Sequence, residues 1–108
     1  MPTANVAVPE GKLIPPNGVY VSRCFLGDRC CYGITNIGTK PTVQGEEVGV
    51  ETFLFDFDED IYGQILTVEF LTHVRQEQRF SSVEELSAQM HKDALYGQEY
   101  IREKGYDE

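Results

Sequence analysis

Glu51 is the residue whose setting most suggests chemistry. It lies in the run Val50-Glu-Thr-Phe-Leu-Phe-Asp-Phe57. Side chains alternate across a strand, so Glu51 is expected to share a face with Phe53, Phe55 and Phe57, with Val50, Thr52 and Leu54 opposite. A carboxylate among aromatics is poorly hydrated, and a poorly hydrated carboxylate makes an effective general base. The plainer alternative is a strand-end Glu that faces solvent or pairs with Arg or Lys. Pro2-Thr-Ala-Asn5 places a hydroxyl and an amide two residues apart. In an extended segment the two could meet one ion or one phosphate oxygen. By spacing alone, a frayed terminus is the preferred reading. Gly33 and Gly38 flank Asn36, and the short Gly38-Thr39 step can offer backbone N–H groups to phosphate, which in isolation is a weak signal. Asp56, Asp58 and Asp60 alternate like the start of a calcium loop, but Ile61 stands where the turn needs Gly and Thr67 where it needs Glu, so a solvated turn is expected. Arg75, Glu77 and Arg79 read as a charged connection, and Asp93 by default as a surface residue. His73 and His91 have no triad or metal partner at a recognisable spacing.

These residues sit in a chain of 108 residues, long enough for one domain with one core. Eighteen acidic against nine basic residues give a net charge of −9. That charge argues against nucleic acid and anionic membrane as partners. No apolar run reaches the roughly 18–20 residues of a membrane span, and no signal peptide is expected. Cys24, Cys30 and Cys31 are odd in number, and the vicinal pair is a poor disulfide, so a reduced cytoplasmic protein is the simplest reading.

The elements that must position the chemistry are mostly strands. Pro2, Pro9, Pro15 and Pro16 keep the first seventeen residues extended or looped. Strands are expected over 18–25, 30–37, 48–57 and 62–73, with a turn at Gly27–Asp28 and a loop over 38–42. Their spacing suggests a small closed or nearly closed β-barrel. A helix follows, capped by Ser81 or Ser82 with Glu84 or Glu85, and stopped at Gly105. Val83, Leu86, Met90, Ala94, Gly97 and Ile101 recur at three- and four-residue steps and form an apolar stripe, expected to dock on the barrel.

The order of several motifs adds a resemblance. Pro2-Thr-Ala-Asn5, Asn17-Gly-Val-Tyr20, Asn36-Ile-Gly-Thr-Lys-Pro-Thr42, Val50-Glu-Thr52 with Asp56-Phe-Asp58, Tyr62-Gly63, and Arg75 with Glu77 and Phe80 together resemble the riboflavin kinase family. The likeness is nearest to the kinase module of bacterial bifunctional riboflavin kinase/FMN adenylyltransferases and covers essentially the whole chain, 1–108, as a single domain. It implies a mainly β fold: a six-stranded Greek-key barrel with a C-terminal helix. The implied reaction is phosphorylation of riboflavin by ATP to FMN and ADP, with magnesium. Thr3 and Asn5 would then bind metal and phosphates. Glu51 would be the base on the ribityl 5′-hydroxyl. Asn36, Gly38 and Thr39 would serve the nucleotide and flavin, and Arg75 and Asp93 would fall on the flavin side. In the family a strand and a Gly-rich segment precede the Pro-Thr-Ala-Asn motif. Here Met1-Pro2 opens the sequence, so the first strand is expected to be missing, and an upstream adenylyltransferase domain is expected in the full-length protein. A noncatalytic flavin-binding or regulatory barrel is the alternative.

Overall fold

The computed structural model describes residues 3–6, 14–55 and 66–106, the first of these segments by backbone alone. The elements in chain order are β1 (Thr3–Val6), β2 (Gly18–Leu26), β3 (Arg29–Thr42), β4 (Gly45–Leu54), β5 (Thr67–Arg75) and α1 (Val83–Lys104). All ladders are antiparallel, and the strands lie in the order β1-β4-β3-β2-β5. β2, β3 and β4 form a meander, and β1 returns by a long connection to lie beside β4, which is a Greek-key arrangement. The mainly β class with one C-terminal helix holds. Five strands are found, and among the described residues no ladder joins β1 to β5, so the sheet is open there.

Two elements differ from expectation. Residues 38–42 continue β3 instead of looping, because β4 pairs with them from Gly38↔Gly49 to Thr42↔Gly45. β2 stops pairing with β3 at Ile37, so Pro41 lies where β3 has a partner on one side only and its missing N–H disturbs no second ladder. β4 correspondingly begins at Gly45 and ends at Leu54, three residues earlier than the apolar run suggested. The acidic segment 56–60, Phe57 and Tyr62-Gly63 lie outside the described residues. Thr3, Ala4 and Asn5 of the Pro-Thr-Ala-Asn motif belong to β1, paired with β4, where spacing alone favoured a frayed terminus.

One sheet face carries two apolar clusters. Cys24, Leu26 and Leu54 pack with Cys31, Leu66 and Val68. Tyr20, Ile37 and Val50 pack with Ile14 and Phe70. Tyr20 meets Phe70 edge-on at 5.4 Å, and its hydroxyl donates to the Pro16 carbonyl at 2.6 Å. On the other face, Val19, Val21 and Ile34 are also buried. Gly27, with φ of 64°, makes the tight turn between β2 and β3 that a side chain would strain.

Burial pushes the Cys24 thiol up to about 12, against a weaker opposing effect of its contact with Ser22. Burial also raises Cys31 and Tyr32. In the unfolded chain the Cys24 and Cys31 thiols ionise near 9, whereas the folded state holds their protons to higher pH. The Cys24 contribution to stability is therefore complete below pH 9 and is lost as pH climbs toward 12. The urea midpoint should fall above pH 9, by about 1 kcal/mol of stability per pH unit. Cys24→Val should flatten that decline; an unchanged slope would remove Cys24 as its source.

The chain divides into two compact units, residues 1–77 and 78–108. In the second, Ser82 caps α1: its Oγ accepts from the Glu85 N–H at 3.1 Å. Glu85 Oε2 returns to Ser81, accepting from its N–H at 3.2 Å and its hydroxyl at 2.9 Å. The helix ends at Gly105, with φ of 74°, whose N–H donates to Arg102 O while Tyr106 N–H donates to Ile101 O. Asp93, Gly97 and Ile101 are the buried helical positions, and Val83 and Leu86 at the start of the stripe are exposed. Ser82→Ala should lower stability by about 1 kcal/mol, read from the denaturation midpoint.

Candidate active site

The ladder registers bring separate motifs into one row. Asn5 of β1 pairs with Glu51 of β4. Glu51 pairs with Asn36 of β3. Asn36 pairs with Val19 of β2, and Val19 with Arg75 of β5. Directly paired residues share a sheet face. Five strands thus set Asn5, Glu51, Asn36, Val19 and Arg75 side by side, although they are spread over 71 positions of sequence from Asn5 to Arg75. Glu51 is half-buried, as are Asn36 and Arg75. Arg75 Nη1 donates to the Gln76 carbonyl at 3.1 Å.

Glu51 has only part of its expected aromatic face within the described residues, Phe57 lying outside them. Its neighbours in the row are the two amide residues Asn5 and Asn36. Only Phe53 follows it on the same face of β4; Phe55 lies past the strand end, where its N–H donates to the Tyr32 carbonyl. The opposite face of β4 buries Val50, Thr52 and Leu54 as expected. An amide side chain such as that of Asn36 has N–H groups to offer a carboxylate, which an aromatic ring lacks.

Thr3 pairs with Phe53, so Thr3 and Asn5 stand two residues apart along the edge strand, at the Phe53 and Glu51 levels. Their hydroxyl and amide oxygens are hard donors. Hard oxygens are the donor type that magnesium accepts, although it usually keeps several waters and binds largely through substrate phosphates.

Gly38 and Gly49 face each other two positions along from the Asn36–Glu51 pair. The Glu77 carboxylate occupies the space beside Gly38: a Cβ there would lie 2.9 Å from Glu77 Oε2. Glycine in a strand interior marks such a close approach. Thr39 Oγ1 accepts from Asn17 Nδ2 at 2.8 Å, which ties the Asn17-Gly18 segment to β3. Asn17 and Glu77 were not singled out for a role in the sequence. Both stood inside the motif runs, and that was the available signal.

Asp93 belongs to the second unit. It is buried and not a surface residue, and its Oδ1 accepts from Gln89 Nε2 at 3.1 Å, one helical turn away. Among the described residues no group of three or more His, Cys, Asp or Glu could hold a metal ion.

The Flavokinase family, described as riboflavin kinase, matches residues 1–101. The chain belongs to the riboflavin kinase family. It is 36% identical over 104 residues to the bifunctional riboflavin kinase/FMN adenylyltransferase of Bacillus subtilis strain 168, covering 94% of this chain and 32% of that protein. It is 40% identical over 101 residues to the enzyme of the same name from Escherichia coli K12, covering 93% and 32%. The chain thus spans about a third of the length of the curated relatives it matches. The crystal structure of a macrolide-efflux protein from Streptococcus pneumoniae superposes with a TM-score of 0.79 at 34% identity, covering 85% of this chain and 30% of that one. No described helix is long and apolar enough to cross a membrane.

Proposed function

We propose that this chain transfers the terminal phosphoryl group of ATP to the ribityl 5′-hydroxyl of riboflavin, giving FMN and ADP. The observation that supports this best is the backbone row Asn5–Glu51–Asn36 across β1, β4 and β3. Glu51 takes the hydroxyl proton as the hydroxyl oxygen bonds to phosphorus and the bond from phosphorus to the bridging oxygen of ADP breaks. The flanking amides hold the carboxylate and the hydroxyl in line. Phosphoryl transfer depends mainly on positioning and on neutralising charge, so one base on a rigid sheet is sufficient protein chemistry. Magnesium, when bound, supplies that neutralisation at the phosphates, with Thr3 and Asn5 as its protein oxygens. Gly38 and Thr39 serve the nucleotide through backbone N–H groups, and Arg75 and Asp93 serve the flavin. The protein works in the cytoplasm as a single domain over 1–108. FMN made here is the substrate of the adenylyltransferase activity named in its relatives, carried by an upstream domain.

The test is chromatographic detection of FMN after mixing the chain with riboflavin, ATP and magnesium. FMN that requires all three supports the kinase. Riboflavin fluorescence quenching without FMN would overturn it in favour of a noncatalytic flavin-binding barrel. Thr3→Ala and Asn5→Ala should raise the magnesium and ATP requirement roughly tenfold or more while flavin affinity stays within about twofold. Equal losses in both would mean a folding defect instead.

A further inference from the structure

Between the two apolar clusters of the core lie three fully buried hydroxyls, Ser22, Thr35 and Thr52, each with no exposed surface. They are linked: Ser22 Oγ lies 2.8 Å from Thr35 Oγ1, and Thr35 Oγ1 lies 2.8 Å from Thr52 Oγ1. Ser22 Oγ also donates to the Gly33 carbonyl at 3.3 Å. With that proton committed, Ser22 must accept from Thr35, and Thr35 must accept from Thr52. The chain Thr52→Thr35→Ser22→Gly33 carbonyl is then directional, and all three protons are used.

We propose that this relay locks the register of β2, β3 and β4, and that Thr35 and Thr52 are positioning residues for Asn36 and Glu51. Each precedes or follows its site residue directly in sequence, on the opposite face of the same strand. A slip of two residues would keep every side chain on its proper face, so the apolar pattern barely opposes it. It would set Thr52 opposite Gly33 or Ile37 and leave buried hydroxyls unpaired. It would also move Asn36 away from Glu51. The sheet itself supplies the contrast. Against β5, where no hydroxyl relay crosses, β2 shifts register twice, between Val19 and Tyr20 and between Val21 and Ser22. Against β3 the same strand runs unbroken from Gly18 to Leu26, and the β3–β4 ladder is unbroken as well. The two-residue turns fix each hairpin at its closed end, but a bulge farther along would shift the Glu51 level without altering the turn.

This proposal rests on the kinase reading for its effect on rate, but its effect on register can be read independently. The test is the apolar variant Ser22→Ala/Thr35→Val/Thr52→Val, alongside Thr52→Ser. Replacing all three hydroxyls together by apolar groups of like shape leaves no hydroxyl of the chain unpaired, with the Gly33 carbonyl losing only the long 3.3 Å bond from Ser22, so the change is close to neutral for stability. The triple variant should therefore keep its urea midpoint while kcat falls about tenfold to a hundredfold and KM for riboflavin and MgATP stays within about twofold. Thr52→Ser, which retains the hydroxyl, should match the wild type. Cross-strand NMR contacts should report a second register for the Asn36–Glu51 pair in the triple variant. Lost stability with unchanged kcat, or a single unaltered register, overturns the proposal. If the triple variant does not fold, Thr52→Val carries the same readouts. If the wild type forms no FMN, the kinase reading fails, and the NMR register comparison alone decides the lock.

Discussion

Glu51→Gln should lower turnover by roughly 10²–10⁴, the range expected when a general base is lost, with the sheet intact. Gln has nearly the same shape and keeps an acceptor and a donor for the flanking amides, but it cannot take the hydroxyl proton. Glu51 is half-buried, so the substitution introduces no large unpaired charge or cavity. The loss should appear equally in kcat and kcat/KM, because the interaction removed is made in the transition state and not in the ground state. Steady-state FMN formation over a riboflavin series and a MgATP series gives both constants, and circular dichroism checks the fold. Turnover within about threefold of wild type would take Glu51 out of the role. A rise in KM with kcat unchanged would make it a binding residue.

Gly33→Ala should cost about 3 kcal/mol, at the upper end for overpacking and a large share of the roughly 5–15 kcal/mol that holds a domain together. A Cβ at Gly33 would stand 2.2 Å from the Phe53 carbonyl oxygen, 3.0 Å from its carbon and 3.2 Å from the Leu54 Cα. Those atoms are backbone of β4, and Gly33 pairs with Leu54 in the ladder itself. Relief requires the strands to separate next to the core cluster of Cys24, Leu26 and Leu54. Gly38→Ala is the control. Its Cβ meets only the carboxylate end of Glu77, which can swing away, so about 1 kcal/mol or less is expected. Urea midpoints of the two variants measure the difference. Equal, small losses would show that β4 yields at Phe53 and that the close approach is not a constraint.

Much of this arrangement was legible in the amino-acid sequence, and the gaps have physical causes. Alternation singled out Glu51, and Thr52 and Val50 on the far face are buried as that alternation requires. The α1 signals at Ser82, Glu85 and Gly105 act locally and were correctly read, because capping depends on neighbours within one turn. Residues 38–42 read as a loop because Gly, Lys and Pro are poor strand formers, yet pairing with 45–49 outweighs local preference. The aromatic setting inferred for Glu51 holds for Phe53, while Phe57 lies outside the described residues and the residues paired with Glu51 are Asn5 and Asn36. What lies beside a strand residue is decided by register with other strands, and no local pattern states that Asn5 and Asn36 are its neighbours. The same limit hid the contact of Glu77 with Gly38 and the bond of Asn17 to Thr39. The family resemblance named the motifs, while only the ladders state which of them are adjacent.

The two-residue turns of the meander have a consequence for how the molecule comes to exist. β2, β3 and β4 can zip together through contacts close in sequence, whereas β1 must find β4 across a much greater sequence separation. Glu51 and Asn36 therefore meet early, as part of the same hairpin, and Asn5 joins them last. Glu51 and Asn36 belong to the most locally supported part of the sheet. Asn5, with Thr3, belongs to a four-residue strand that has, among the described residues, a single ladder of hydrogen bonds. The least costly segment to undock is then β1, and under the proposed function nucleotide binding would draw its stabilising effect from holding β1 in place.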